Sequence, residues 1–77
     1  MKEATLEQEV KIAISYYEIG YNFSTKTAVE LVQGKYWLAV TELEKIMEAE
    51  PSESVLNTLM KYKEMYIYAS NYIKKNQ

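Results

Sequence analysis

The sequence contains no cysteine and no histidine, and it contains no aspartate and no arginine either. Without cysteine or histidine the chain lacks the thiol nucleophile, the imidazole base and the usual ligands of transition metals. Without arginine it lacks the planar side chain that reads phosphate and guanine through paired hydrogen bonds. These absences predict that the chain is not an enzyme, that it binds no cofactor and no metal, and that nucleic acid is not its main partner.

Glycine and proline are also scarce, with two glycines and one proline in the chain. All charged residues are glutamate or lysine, a composition typical of an AT-rich coding sequence or of a thermophile. The lack of cysteine fits a reducing compartment, which we expect to be the cytoplasm. The first ten residues carry Lys2, Glu3, Glu7 and Glu9 instead of an apolar run, so we expect no secretory signal. No stretch approaches about 20 apolar residues, so we also expect no membrane span.

What is present indicates a folded chain. Its 77 residues are 48% hydrophobic and 13% aromatic, which is a globular composition. A chain of this length buries only about 60% of the surface that its unfolded form exposes. We therefore predict one helical domain over residues 1–77 with a small core.

Charge is distributed unevenly, although the formal net charge is only −2. Residues 42–53 contain five glutamates and one lysine, whereas residues 61–77 contain four lysines and one glutamate. Such runs are usually solvated helix faces. They would also suit a partner of opposite charge pattern, or a second copy of the chain.

The first helix is predicted to begin at Leu6, because Thr5 and Gln8 have the spacing of a capping box. Its apolar stripe persists to residue 31, and a second stripe covers another face. Two interpretations remain for residues 20–27. Either the helix continues to Gln33, which the absence of proline favours, or it breaks and restarts with Thr27 as the cap and Glu30 as its capping partner.

The next two helices are predicted from turn residues. Gly34 suits a left-handed helix cap, so the second helix would start at Lys35 or Tyr36. It would end at Pro51, and Ser52 or Ser54 would cap the third helix. No strand pattern competes. The expected fold is all-α, an antiparallel three-helix arrangement with a repeat-like helical hairpin.

Two short motifs resemble the two helices of a tetratricopeptide repeat. The first is Tyr16-x-x-Ile19-Gly20-x-x-Phe23, and the second is Gly34-Lys35-Tyr36-x-x-Ala39 with Leu43, Ile46 and Pro51. Ten residues separate Phe23 from Gly34 where the repeat has three, and the seven extra residues keep the helical face in phase. The resemblance implies a scaffold that binds other proteins.

The long first helix, the Gly-x-Tyr-x-x-Ala motif and the closing helix are also similar to the three-helix microtubule-interacting-and-trafficking domain. The similar stretches are residues 28–39 and residues 63–69. The chain departs from that family in a shorter link before the third helix and in Tyr68, where a basic residue is common. This resemblance implies recognition of a partner in a groove between helices.

Neither the glutamates nor the lysines indicate a site with chemistry of its own. Glu44 and Glu48 share a helical face but lack an opposing pair that could complete a metal site. A catalytic carboxylate needs an apolar cleft, and only Glu18 and Glu64 come near one, at the edges of the apolar stripes. Tyrosines are interspersed with Lys61, Lys63, Lys74 and Lys75, a pattern found in proteins that bind single-stranded nucleic acids. A small dimeric regulator that presents these lysines to nucleic acid is therefore the alternative function.

The excess of apolar residues is the main functional indication. Two helices carry large apolar residues beyond those needed for their inner faces, and a three-helix monomer cannot bury them all. The predicted partner-binding residues are Trp37, Leu38, Leu56, Met60, Met65 and Tyr68. We predict a non-catalytic interaction module or adaptor that binds a partner helix or itself, with a homodimer as the simplest oligomer.

Overall fold

Three α-helices make up the protein in the computed structural model, which describes the backbone of residues 5–75 and the side chains of residues 5–72. Helix α1 spans Leu6–Gly20, α2 spans Thr25–Ala49 and α3 spans Glu53–Lys75. Every pair of helices is in contact, and the described residues form no strand. The predicted all-α three-helix fold is confirmed. The expectations that concern Lys2, Glu3 and the side chains of Lys74 and Lys75 lie outside the described residues.

Helix α1 begins where the sequence predicts. The Thr5 side-chain oxygen accepts a hydrogen bond from the Gln8 amide at 3.2 Å, and the Gln8 side chain accepts one from the Thr5 amide at 3.0 Å. This reciprocal pair satisfies two backbone donors that the first helical turn cannot. The capping box is confirmed.

The chain breaks between α1 and α2, so the interpretation of a continuous helix to Gln33 is wrong. Asn22 adopts a left-handed conformation with φ 57°, which asparagine tolerates better than most residues. The amides of Tyr21 and Phe23 both donate to the Tyr17 carbonyl at 3.3 Å and close the last turn of α1. The break near residues 20–27 is confirmed.

The cap of α2 is Ser24, and the prediction of Thr27 is wrong by about one turn. The Ser24 hydroxyl accepts a hydrogen bond from the Thr27 amide at 3.2 Å. Starting the helix at Thr25 lets the Thr25 hydroxyl donate to the Glu18 carboxylate, which ties the new helix to α1. Ala28 and Val29, near the start of α2, are buried in the core.

Gly34 lies inside α2, so the predicted turn at Gly34 and the helix start at Lys35 or Tyr36 are wrong. No described glycine has a positive φ. A glycine in a helix interior costs only about 1 kcal/mol relative to alanine. Val32 and Tyr36, which flank Gly34 at helical spacing, are both buried on the inner face. Their burial outweighs that cost, so the helix continues.

Helices α2 and α3 form an antiparallel hairpin. The side-chain amide of Gln33 donates a hydrogen bond to the Ser70 hydroxyl at 2.7 Å, and the ring centres of Trp37 and Tyr66 are 5.4 Å apart. Residues with higher numbers on α2 therefore contact residues with lower numbers on α3, as expected for antiparallel helices. The turn contains Pro51, and α3 starts at Glu53, which puts Ser52 at the predicted cap position.

The core lies at the open end of this hairpin, where α1 packs against both of the longer helices. It joins residues from all three helices, namely Val10, Ile14, Ala28, Val29, Val32, Tyr36, Met65 and Ala69. Val40 and Leu59 are also buried but stand outside this cluster, towards the turn. The end of the hairpin near the turn is therefore only two helices thick.

Replacing Gly34 with alanine tests its place in the helix. Nothing lies within 4 Å of the position that an added Cβ would occupy. Because alanine is the better helix former, we expect Gly34→Ala to raise the free energy of unfolding by about 0.5–1 kcal/mol. Chemical denaturation followed by circular dichroism measures this. A loss of stability would instead place Gly34 in the left-handed turn.

A second prediction concerns the cap of α2. We expect Ser24→Ala to lower the free energy of unfolding by about 1 kcal/mol, because the Thr27 amide loses its acceptor. Ser24→Asp keeps an acceptor and should be close to neutral. Thr27→Ala is the comparison, and denaturation curves that show it to be more costly than Ser24→Ala would restore Thr27 as the cap.

Candidate protein-interaction surface

A shallow groove runs between α2 and α3. Its volume is about 220 Å³, and its lining is almost entirely apolar. The lining residues are Trp37, Val40, Lys63, Tyr66 and Ile67. The Trp37 and Tyr66 rings meet at 48° and form one wall, while buried Val40 lies at the floor. The groove can therefore accept an apolar side chain of modest size.

Exposed apolar side chains extend the groove along α3 towards the turn. Leu56, Met60 and Ile67 follow one another at spacings of four and seven, which places them on one side of the helix. Met60 is 59% exposed, Ile67 56% and Trp37, across the groove, 56%. We call the surface made by Trp37, Leu56, Met60, Tyr66 and Ile67 the α2–α3 face.

The α2–α3 face is exposed because α1 does not reach it. Trp37 is one residue past Tyr36, the last residue of α2 in the core cluster. One residue rotates the side chain by about 100° around the helix, away from the inner face. Met60 likewise follows buried Leu59 by one residue. A two-helix hairpin has one inner face, so the flanks of both helices stay in solvent.

One ion pair crosses from α3 to α2 beside the groove. The Lys63 ammonium lies 3.7 Å from the Glu44 carboxylate, and both side chains are about half exposed. An exposed pair of this kind contributes at most about 1 kcal/mol to stability. The pair holds the Lys63 ammonium near Glu44 but adds little stability. It also neutralises one glutamate at the edge of the groove.

Three of the six predicted partner-binding residues are exposed on the helix flanks that border the groove. Trp37, Leu56 and Met60 lie on the α2–α3 face. Leu38 is exposed too, but it is about 100° beyond Trp37 around α2 and does not line the groove. Whether the three residues bind a partner stays a prediction.

Met65 and Tyr68 belong elsewhere. Met65 is only 7% exposed and is part of the core cluster, so its prediction as a surface residue is wrong. It follows Met60 by five residues, which turns it about 140° away from Met60 around the helix. Tyr68 is half-buried against the same cluster, and its hydroxyl lies 3.4 Å from a Glu64 carboxylate oxygen. The negative charge of Glu64 raises the pKa of Tyr68.

Sequence reasoning missed Ile67, which replaces Met65 on this surface. The signal was available, since Ile67 follows Met60 by seven residues and Leu56 by eleven, both helical repeats. Tyr66 packs against the core cluster, and its ring also forms a wall of the groove.

A second exposed apolar surface lies on the outer side of α1. It consists of Ile12, Tyr16 and Ile19, which point away from the core residues Val10 and Ile14. Beside it, four rings cluster at the α1–α2 corner, with centroid distances between 5.3 and 6.5 Å. The rings belong to Tyr16, Tyr17, Tyr21 and Phe23. The Lys35 ammonium lies 5.2 Å from the Tyr17 ring centre, which adds a cation–π contact.

The charged residues form ion pairs and no candidate metal site in the part of the chain that the structure describes. Within that part, no three acidic side chains group in a way that would hold a metal ion. Of the lysines proposed for nucleic acid, Lys61 lies 4.0 Å from Glu9 and Lys63 is paired with Glu44. None of the helices in residues 5–75 is long and apolar enough to span a bilayer.

Comparison with known proteins finds no matching family model, no matching curated protein and no matching solved structure. The resemblances to the tetratricopeptide repeat and to the microtubule-interacting-and-trafficking domain therefore stay predictions. Both place a turn at Gly34, where the structure has a continuous helix. Function must be argued from the surface itself.

Met60 and Met65 of α3 give a matched test of which methionine is on the surface and which is in the core. Met65→Ala should lower the free energy of unfolding by about 2–4 kcal/mol, because it opens a cavity in the core. Met60→Ala removes the same atoms from a largely exposed position and should cost less than about 1 kcal/mol. Denaturation curves for the two variants measure the difference. Equal costs would mean that the two methionines are not separated into core and surface.

Proposed function

We propose that the protein is a non-catalytic interaction module that binds the apolar side of a helix, from a partner protein or from a second copy, on the α2–α3 face. The observation that carries this proposal is the apolar groove lined by Trp37 and Ile67, with Met60 on the same side of α3 as Ile67; each of the three is more than half exposed. Scattered apolar residues need no explanation, but several large ones along one groove are typical of an interface.

The mechanism is burial of an apolar anchor. A leucine-sized side chain of the incoming helix would enter between Trp37 and Ile67, above Val40. Further apolar residues, one or two turns along that helix, would cover Met60 and Leu56, since helix-in-groove binding uses anchors at i, i+3, i+4 and i+7. Trp37 is the expected centre of the binding energy, because tryptophan is enriched among residues whose truncation costs most.

Self-association is one form of this proposal, in which a second copy supplies the helix. The lack of cysteine supports the further proposal of a cytoplasmic location. Burying the α2–α3 face against a second copy would hide apolar surface that one chain leaves in water. A standard interface buries about 800 Å² on each partner, which is large for a chain whose whole surface is 5836 Å². Such an interface would extend beyond the groove to the flanks of both helices.

Substitutions on the face should abolish binding without unfolding the chain. We expect Trp37→Ala to weaken partner binding or self-association by at least tenfold, and Met60→Glu to do likewise by placing a charge in an apolar contact. Light scattering measures self-association, and a pull-down with immobilised variants measures partner capture. Circular dichroism should show unchanged helical content in both variants.

Leu38→Ala is the matched control, because Leu38 is exposed on the same helix but outside the groove. It should leave binding within about twofold of the parent. The single tryptophan adds a direct readout, since occupation of the groove should shift the emission of Trp37 to shorter wavelength. Binding that survives both Trp37→Ala and Met60→Glu would contradict the proposal.

A further inference from the structure

Glutamates border the α2–α3 face on both helices. On α2, Glu44 and Glu48 follow Trp37 by seven and eleven residues, which places them on the same flank of the helix. On α3, Glu53 precedes Met60 by seven residues and Glu64 follows it by four. All four are exposed. The apolar strip is therefore edged with negative charge on each side.

Few positive charges offset these glutamates. Lys63 lines the groove, but its ammonium is paired with the Glu44 carboxylate. The nearest other lysines in the sequence face elsewhere, since Lys45 pairs with Glu42 at 3.8 Å and Lys61 with Glu9 at 4.0 Å. Within the described side chains, Glu48 and Glu53 make no ion pair, so they are available to a bound partner.

We propose that the occupant of the α2–α3 face is a basic amphipathic helix, with apolar residues towards the groove and lysine or arginine along both edges. This inference rests on the proposed function and names the chemistry of the partner. Cations on the partner would reach Glu48 on one side of the strip and Glu53 on the other. Charges at the rim of an interface mainly set orientation and association rate, while the apolar anchor supplies most of the affinity.

The same glutamates argue against a second copy as the occupant. Two copies joined face to face would bring the glutamate-edged strips together, with Glu44, Glu48, Glu53 and Glu64 on each copy. Like charges placed opposite each other disfavour that pairing. Nucleic acid is disfavoured for the same reason. A partner of opposite charge relieves the repulsion among the glutamates and keeps the apolar contact.

The test uses three synthetic helical peptides of about 18 residues, or five turns, with leucine at the same positions. The remaining positions are lysine in the first peptide, glutamine in the second and glutamate in the third. Fluorescence anisotropy at low salt measures binding to the full chain. We expect the lysine peptide to bind at least about tenfold more tightly than the glutamine peptide, and the glutamate peptide not to bind.

Variants of the protein locate that binding. Trp37→Ala should weaken binding of the lysine peptide by at least tenfold. The double variant Glu48→Gln with Glu53→Gln should weaken it about fivefold, with less effect at high salt. Its control is Glu42→Gln with Glu50→Gln, which changes the net charge equally; Glu42 is about 140° around α2 from Trp37, and Glu50 is the C-cap residue of that helix. The control should change binding less than twofold.

Five outcomes would overturn the inference. Equal binding of the lysine and glutamine peptides, both lost in Trp37→Ala, would leave the proposed function standing and remove the basic partner. In two further outcomes, the lysine peptide binds Trp37→Ala as tightly as the parent, or its binding falls equally in both double variants. Either result would show that the peptide is held by diffuse charge attraction. Trp37-dependent dimerisation that excludes every peptide would make a second copy the occupant. Absence of peptide binding, with no effect of Trp37→Ala on any association, would overturn the proposed function as well.

Discussion

The break at residues 21–24 fixes the length of α1, and that length decides which parts of the molecule are covered. Helix α1 has 15 residues and α2 has 25. At 1.5 Å per residue these helices are about 22 Å and about 37 Å long. A helix of the shorter length can cover only part of the α2–α3 hairpin. The left-handed Asn22 and the Ser24 cap therefore determine where the core ends and where apolar flanks remain in solvent.

The two ends of the hairpin are stabilised differently. At the open end, the valines and the one isoleucine of the core, all on α1 and α2, pack with Met65 and Ala69 of α3, and burial raises the pKa of Tyr36. The Tyr36 and Tyr62 rings lie 6.1 Å apart and connect α2 to α3 there. Towards the turn, Val40 and Leu59 are the buried pair, and the surrounding apolar residues are half-buried or exposed. Each helix thus changes from core element to interface element along its length.

Much of the fold follows from local sequence, and the exceptions have physical causes. The Thr5 capping box and the Pro51 turn involve neighbouring residues, so their spacing predicts them. The turn expected at Gly34 fails because helix propagation and burial of Val32 and Tyr36 depend on distant contacts. Periodicity placed Trp37, Leu56 and Met60 correctly on exposed flanks. It could not show which flank α1 covers, and a spacing of five residues misassigned Met65 to the surface.

The unequal thickness of the hairpin has a consequence for the internal motions of the protein. Local opening in a native protein is governed by how much buried surface must separate, so amide exchange slows where packing is densest. Backbone hydrogens of α2 near Val29 and Val32 lie in the three-helix half, whereas those near Leu43 and Met47 lie in the two-helix half. We therefore expect amide exchange to be slow in one half of this unbroken helix and rapid in the other, with the groove at the boundary between the two halves.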